Sequence, residues 1–328
     1  MPHSERRRVA ESAGGAIGSA READARPRVA AVVPTYRPDD DVVDHMRSLA
    51  GQVDVLYVVD DGSGPGADDV LTRVEAVGAR IIKLERNRGI AAALNAGVRR
   101  ALAEGAEYVV NTDQDTLLPP GYVDACLATF ARANRVTHLG IVCADAINGQ
   151  PSIPTWVSPE GIGLVPEAIQ SGFVISRETF ERAGLFDERL VIDCVDTEYC
   201  IRVRDRGFRI AIAEGTDIAH ELGEMVPFRP FGLRLPNRTG AFEYQYHSPF
   251  RQYYIVRNNI DLVYRTVRRH PRWAAAVVKR QIGPALDAVV SGPQRWRHLI
   301  ATLVGGVHGF FRIRGPIPAK LRAYLTRS

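Results

Sequence analysis

This sequence has few cysteines and no long apolar run. Only four of its 328 residues are cysteines, and no two have the Cys-x-x-Cys spacing of zinc sites or redox motifs. We therefore expect small, buried thiols in a reducing compartment. No run of 18 apolar residues occurs, which argues against a membrane-spanning helix. Three arginines near the start are followed by a segment rich in Ala, Gly and Ser, so we expect no secretory signal.

Acidic residues are scarce near the end of the chain. Residues 247–328 contain 15 lysines and arginines but two acids, a formal charge of +13. Residues 1–246 contain 27 basic and 36 acidic residues, a charge of −9. A strongly basic segment attracts phosphate groups, either of anionic lipids or of nucleic acids. No recognised nucleic-acid-binding motif accompanies the charge, so we predict no nucleic-acid partner.

Composition and charge divide the chain into three parts. Residues 1–27, rich in Ala, Gly, Ser and Arg, are predicted to be a disordered leader. Residues 28–260 are predicted to form the main domain, and residues 261–328 a basic helical tail. The tail mixes arginines with apolar residues such as Trp273 and Phe311, as helices lying on anionic membranes do. Alternatively, the tail packs on the main domain or on a second subunit of a homo-oligomer.

Short apolar runs alternate with helical segments over the first 115 residues. The runs at 29–33, 55–59, 80–84 and 108–110 have the composition of buried strands. The alternation predicts an α/β fold with a mostly parallel central sheet flanked by helices. Ligands of such sheets bind at the carboxyl ends of the strands. The polar clusters that follow the strands are Pro34-Thr35-Tyr36, Asp60-Asp61, Asn87-Arg88-Gly89 and Asp113-Gln114-Asp115.

The last of these clusters is the most informative. Asp113 and Asp115 follow a predicted strand, and a spacing of two on an extended backbone turns both side chains the same way. Hard cations such as Mg²⁺ and Mn²⁺ prefer oxygen ligands of this kind, and they often bridge a carboxylate and a diphosphate. The alternative is an ordinary loop, because Asp and Asn are common in turns. We predict a divalent cation as cofactor.

Taken together, the motifs resemble those of family 2 glycosyltransferases, which are inverting, use nucleotide-sugar donors and have the GT-A fold. The resemblance covers about residues 29–260. Within the family, the segments at 196–208 and 251–258, together with His220, are most similar to bacterial rhamnosyltransferases. The matching segments are VVPTYRP at 32–38, VVDDGS at 58–63, NRGIAAALNAG at 87–97, NTDQDT at 111–116, SGFVISRETFERAGLFDE at 171–188 and DTEYCIRVRDRGFRI at 196–210.

The resemblance implies a set of residues around the nucleotide sugar. Asp61 would lie at the nucleobase, where a carboxylate can accept the imide N–H of uracil or thymine; a tight turn is the alternative role for residues 60–63. Gly89 would let the backbone approach the ligand closely. The residues implied for donor binding are Pro34, Thr35, Tyr36, Asp61, Asn87, Gly89 and Asp113.

The resemblance also implies the metal ligands and the catalytic base. Asp115 and His220 would hold the cation. Asp196 would take the proton from the acceptor hydroxyl. Asp193 and Glu198 are the less favoured alternatives for the base, and N-terminal capping of a helix is the structural explanation for acids at this position.

A further segment, Ser171-Gly172, resembles the loop that borders the donor sugar and the acceptor, and Glu198 would lie at the same border. The other partners implied are a nucleoside diphosphate sugar as donor and a cell-surface glycan or lipid-linked precursor as acceptor. The protein is expected in the cytoplasm, with the basic tail able to reach the inner face of the cell membrane.

The expected activity is metal-dependent transfer of rhamnose from dTDP-rhamnose to such an acceptor. The first alternative is transfer of another hexose, such as galactofuranose or glucose, from a UDP donor. A nucleotidyltransferase would carry a Gly-rich basic loop where this chain has Pro34-Thr35-Tyr36-Arg37-Pro38. A non-catalytic scaffold is disfavoured because Asp113, Asp115, Asp196 and His220 occur together.

Overall fold

The computed structural model describes residues 26–133, 136–221, 223, 225–230 and 243–327, so most of the predicted leader lies outside the described residues. The first half of the fold alternates strands and helices, as the spacing of apolar runs predicts. Its elements are β1 (Val29–Thr35), α1 (Val42–Ala50), β2 (Val55–Asp60), α2 (Asp68–Ala76), β3 (Ala79–Lys83), α3 (Ile90–Ala103) and β4 (Tyr108–Asn111). These strands are parallel and lie in the order β3-β2-β1-β4.

The second half extends the same sheet. Its elements are β5 (Thr116–Leu117), α4 (Tyr122–Arg132), β6 (Leu139–Ile147), β7 (Gln150–Pro151), β8 (Trp156–Val157), β9 (Gly163–Val165), β10 (Phe173–Ser176), α5 (Arg177–Ala183), α6 (Val195–Asp205) and β11 (Arg209–His220). Strand β10 is inserted antiparallel between β4 and β6, and β11 is parallel to β6. The predicted α/β class, with a mostly parallel central sheet and flanking helices, is confirmed.

Helices cover both faces of the sheet because its strands are apolar on both sides. All seven residues of β1 are buried, as is typical of a central parallel strand. Ala30 and Val32 belong to the core that includes α3, α5 and α6, whereas Ala31 and Val33 belong to the core that includes α1, α2 and α4. Gly97 brings α3 close to the sheet, since a Cβ atom there would lie 2.4 Å from a methyl group of Val32.

The remaining described residues form an antiparallel strand pair and a group of helices. They are β12 (Met225–Pro227), β13 (Glu243–Gln245), α7 (Pro249–Thr266), α8 (Pro271–Ser291), α9 (Arg295–Phe310) and α10 (Ala319–Leu325). Helix α7 is capped by Ser248, whose hydroxyl accepts the backbone N–H of Arg251. Helices α7 and α9 pack closely because Cβ atoms at Gly305 and Gly309 would lie 2.7 Å from backbone oxygens of α7.

Helix α7 is continuous through the predicted domain boundary at residues 260 and 261. It is joined to the main domain by Arg257, whose side chain is fully buried. The guanidinium group donates to the carbonyl oxygens of Leu190 (3.0 Å) and Gly315 (2.5 Å). Because a buried charge needs such partners, α7 and the segment before α6 hold each other in place.

The four cysteines have free thiols; three are buried and Cys194 is half-buried. They therefore pack as small apolar side chains. Within the described ranges, no helix combines the length and the apolar character needed to cross a membrane.

Candidate active site

A cavity of about 320 Å³ lies at the carboxyl ends of β1, β2 and β4. Parallel strands deliver their C-terminal residues to one edge of the sheet, which is where ligands of open α/β sheets bind. Every residue predicted to bind the nucleotide sugar lines this cavity, and so does the predicted metal ligand Asp115. The other lining residues, to which the sequence assigned no role, are Ile90, Gln114, Val191, Ile192, Phe250 and Arg322.

The two adjacent aspartates at the end of β2, Asp60 and Asp61, have different surroundings. Asp60 accepts the backbone N–H of Ser63 at 3.1 Å and so stabilises the turn. Asp61 is buried and lines the cavity. Its oxygens accept the backbone N–H groups of Arg88 (2.7 Å) and Gly89 (2.8 Å). Burial raises the pKa of Asp61 in spite of these bonds. Each carboxylate oxygen keeps a second lone pair that could accept a ligand N–H.

Gly89 lines the cavity, but the reason for a glycine there differs from the one expected. Its φ angle is +92°, which side-chain-bearing residues rarely adopt. A Cβ atom would lie 2.4 Å from the carbonyl oxygen of Val191. The close approach that requires glycine is therefore to the protein's own chain, in the segment that forms the opposite wall of the cavity.

The carboxylates of Asp113 and Asp115 meet the imidazole of His220, and one ligand atom from each lies within 4.8 Å of the others. The pairing of β5 with β11 sets Thr116 opposite His220, which explains how residues about 100 positions apart come together. His220 Nδ1 lies 2.8 Å from the hydroxyl of Thr116 and 3.3 Å from Asp115 Oδ1. The hydrogen bond with Asp115 raises the pKa of His220.

The chemistry of this group fits a divalent cation. Asp113 Oδ1 is buried and has no hydrogen-bond partner in the described part of the chain, a costly state for a carboxylate oxygen. Burial and the neighbouring Asp115 raise the pKa of Asp113. A cation between the two carboxylates would give the buried oxygen a partner and would offset the repulsion between the two negative charges. Oxygen ligands with one imidazole suit Mg²⁺ or Mn²⁺. Asp113 therefore joins Asp115 and His220 as a candidate ligand.

Ser171 and Gly172 contact the segment from Asp113 to Tyr122, which begins with the two aspartates of the metal group. The Ser171 hydroxyl accepts the backbone N–H of Asp113 (3.0 Å) and lies 2.6 Å from the hydroxyl of Thr116. The carbonyl oxygen of Gly172 accepts the hydroxyl of Tyr122. Both residues are buried. They support the loop that carries the candidate metal ligands, a role that the resemblance did not suggest.

Asp196 lies in the first turn of α6, after a segment with an unusual backbone. Val191, Asp193 and Cys194 all have φ angles between 60° and 71°. This conformation costs energy in non-glycine residues, and it is characteristic of functional segments. Burial raises the pKa of Asp196 to about 6. Asp196 is not among the residues that line the cavity, but its charge contributes to the raised pKa of Asp113, after burial and Asp115.

The two alternatives to Asp196 have other partners. Glu198 is buried between Arg202 and Arg265, each at 2.8 Å, and faces these arginines instead of the cavity. Asp193 pairs with Arg251 at 2.6 Å. Arg251 lies in the segment at 251–258 that is similar to bacterial rhamnosyltransferases, but the sequence did not indicate what this arginine contacts. Arg322 lies outside every segment that the sequence marked as part of the site.

Comparison with known proteins agrees with this description. Residues 30–177 match the family model described as glycosyl transferase family 2. The chain is 30% identical over 241 residues to the dTDP-rhamnosyl transferase RfbF of Shigella flexneri, an alignment that covers 70% of this chain and 77% of that protein. The predicted family membership and enzyme class are confirmed.

The fold also resembles that of a solved structure. The crystal structure of S. aureus TarS matches 91% of this chain with a TM-score of 0.52 and 14% identity, and the match spans half of that chain. A TarS structure of residues 1–349 with UDP-GlcNAc matches 87% of this chain and 73% of that chain, with a TM-score of 0.49 and 14% identity. At 14% identity the likeness to the first of these structures, with its TM-score of 0.52, concerns the fold alone, and it agrees with the predicted GT-A class.

Proposed function

Since the chain belongs to glycosyl transferase family 2, we propose that it transfers rhamnose from dTDP-rhamnose to a hydroxyl of a cell-surface glycan or its lipid-linked precursor. The observation that carries the proposal is the meeting of Asp113, Asp115 and His220 beside a cavity that Asp61 lines. The name of the Shigella flexneri relative supports rhamnose as the sugar.

The cavity offers separate groups to the parts of the donor. Asp61 at the end of β2 can accept the imide N–H of thymine, and Thr35 and Tyr36 form the neighbouring wall. Arg322 brings a positive charge to the same cavity from α10, and its guanidinium lies 5.8 Å from the ring centre of Phe250. A nucleoside diphosphate carries negative charge, so an arginine in the wall favours its binding.

Asp113, Asp115 and His220 would hold a Mg²⁺ or Mn²⁺ ion. When bound, such an ion supplies positive charge that stabilises the departing diphosphate. The unpartnered Asp113 Oδ1 supports this assignment more directly than the sequence motif does, because it marks an unmet demand for positive charge or a hydrogen-bond donor among the described residues.

Asp196 would act as the general base. Its carboxylate takes the proton of the acceptor hydroxyl while the hydroxyl oxygen forms a bond to the anomeric carbon. The bond from that carbon to the diphosphate oxygen breaks, and the nucleoside diphosphate leaves with the electron pair. One displacement of this kind inverts the configuration. A pKa of about 6 suits the role, because the carboxylate is ionised at neutral pH yet more basic than an ordinary aspartate.

A melting-temperature panel with dTDP-rhamnose, UDP-glucose and UDP-galactofuranose tests the donor, since a ligand that binds only the folded protein stabilises it. We expect the largest increase with dTDP-rhamnose in the presence of Mn²⁺ or Mg²⁺, and the same donor should be consumed in a turnover assay. Preference for a UDP-hexose would favour the alternative donor class and contradict rhamnose. Full activity in EDTA would contradict the metal assignment.

We also propose that the enzyme works in the cytoplasm and meets lipid-linked acceptors at the inner membrane face. Helix α9 and its end expose Leu303, Phe310 and Phe311, and Arg312 follows directly. Exposed aromatic residues beside arginines favour an anionic lipid surface. Phe311→Ser should lower cosedimentation with phosphatidylglycerol vesicles; unchanged binding would count against this surface.

A further inference from the structure

A second cavity, of about 330 Å³, lies between the C-terminal helices and the segment that leads into α6. We refer to it as the amide cavity, because Gln245, Gln252, Asn259 and Gln281 contribute to its wall. These residues come from β13, α7 and α8, so the cavity exists only because the C-terminal helices pack on the main domain. Its volume is within the range of small-molecule sites.

The amide cavity adjoins polar atoms that lack partners. Asp193 Oδ2, the Tyr244 hydroxyl and His247 Nδ1 belong to lining residues, and all three are buried without a hydrogen-bond partner in the described ranges. The same is true of Nε of Arg251, the ion-pair partner of Asp193. Unsatisfied buried polar atoms are rare, and each costs about 1–3 kcal/mol. Three such atoms on the residues that line one cavity, with a fourth on the ion-pair partner of Asp193, indicate a polar ligand that supplies the missing hydrogen bonds.

The wall has little net charge. Asp193 is paired with Arg251 at 2.6 Å, and Arg280 is paired with Glu167 at 3.3 Å. Burial lowers the pKa of His247, which keeps its ring neutral near pH 7. The remaining polar groups are mostly side-chain amides, each of which offers both hydrogen-bond donors and an acceptor. Such a wall matches an uncharged ligand with many hydroxyl groups better than it matches a phosphate.

One short segment separates the amide cavity from the donor cavity. Val191 and Ile192 line the donor cavity, whereas Asp193 and Cys194 line the amide cavity. Asp196 follows this segment after one further residue, and the charge of Asp193, which lines the amide cavity, contributes to the raised pKa of Asp196 after burial. The side-chain amide of Asn258 holds the segment in place by donating to the carbonyl oxygens of Leu190, Ile192 and Asp193 at 2.9–3.1 Å.

We propose that the amide cavity binds an uncharged sugar unit of the acceptor and presents one of its hydroxyl groups to Asp196. The inference rests on the proposed glycosyl transfer, and it adds the chemical class and the place of the acceptor. It also assigns a function to the C-terminal helices, which supply most of the cavity wall.

Gln281→Ala and Tyr244→Phe test the proposal, each removing one polar group from the wall. The probes are p-nitrophenyl glycosides of neutral hexoses and p-nitrophenyl glucuronide as a charged counterpart. Loss of one ligand hydrogen bond should raise the KM for a neutral glycoside about five- to tenfold. The Kd for dTDP and the slow hydrolysis of dTDP-rhamnose by water should change less than twofold. Gln150→Ala, the same change on the exposed edge strand β7, is the matched control.

Binding of the glycosides is also measured without donor, by saturation-transfer NMR, so the amide cavity is tested whether or not the donor assignment holds. Weaker signals with Gln281→Ala than with Gln150→Ala would support it. Equal KM values and equal signals for Gln281→Ala, Tyr244→Phe and wild type would overturn it, as would a preference for the glucuronide. By contrast, a wild-type protein that neither binds dTDP nor consumes dTDP-rhamnose would overturn the proposed transfer while leaving the binding result to decide on the cavity.

Discussion

Replacement of Asp196 by asparagine should abolish transfer and also stabilise the protein at neutral pH. Burial, reinforced by the negative charges of Asp193 and Glu167, raises the pKa of Asp196 from 3.8 to about 6. Keeping the carboxylate ionised in the folded protein therefore costs about 3 kcal/mol at neutral pH. Asparagine is neutral and has nearly the same shape. We expect the free energy of unfolding to increase by roughly 1–3 kcal/mol, since the amide recovers only part of the penalty.

The direction of the pH dependence follows from the sign of this shift. A carboxyl group with a raised pKa holds its proton more tightly in the folded than in the unfolded protein, so the penalty is fully present above about pH 6. It diminishes as the pH falls towards the ordinary value of 3.8, because the group is then protonated in both states. The stability difference between Asp196→Asn and wild type should therefore be large at about pH 7.5 and small at about pH 4.

Urea unfolding in EDTA measures this difference without any contribution from a bound cation. In a separate assay with Mn²⁺ and dTDP-rhamnose, Asp196→Asn should lower kcat by about 10²–10⁴-fold, the range for loss of a general base. Binding of dTDP should change little, because Asp61 and the metal group remain. Asp39→Asn, the same change at an exposed position, should alter neither stability nor turnover. Normal turnover by Asp196→Asn would refute its role as general base. A loss of stability at pH 7.5 would refute the free-energy penalty for the buried carboxylate.

Asp115→Ala should raise the Kd for dTDP measured by calorimetry with Mn²⁺ about tenfold, and wild type and variant should bind alike in EDTA if the residue acts through the cation. Gly89→Ala should lower the free energy of unfolding by about 1–3 kcal/mol, because a Cβ would lie 2.4 Å from a carbonyl oxygen; unchanged urea stability would contradict this packing. Asn258→Leu should lower kcat more than it changes the Kd for dTDP, since its amide orders the segment before Asp196; unaltered kcat would contradict that role.

The donor side of the site could be predicted from local sequence because parallel strands bring their ends to a common edge. Apolar runs located the strands, and the polar residues after them, such as Asp61 and Asp115, line the cavity or meet beside it. What local sequence could not supply was the long-range partner of each residue. Gly89 is required by contact with Val191, about a hundred positions away. Glu198 is held by Arg265, so its place in an acidic motif did not indicate its surroundings.

The contacts of the C-terminal helices were the hardest to predict, because basic side chains can bind a lipid, a nucleic acid or acidic groups of the same protein. Net charge alone does not distinguish these uses. The structure shows that many of the arginines after residue 247 have partners within the chain. Arg257, for instance, is buried and donates to backbone carbonyl oxygens, and Arg314 pairs with Asp261 at 2.8 Å.

The opposite net charges of the two parts of the chain are partly explained by ion pairs between them. The pairs that join the C-terminal helices to the main domain are Arg251 with Asp193, Arg265 with Asp187 and Glu198, Arg269 with Asp205, and Arg280 with Glu167. Each of these acids belongs to the part that carries −9, and each arginine to the part that carries +13. Two of the acids, Asp193 and Glu167, also contribute to the raised pKa of Asp196. A change in the packing of these helices would therefore alter the charges around Asp196 and with them its pKa.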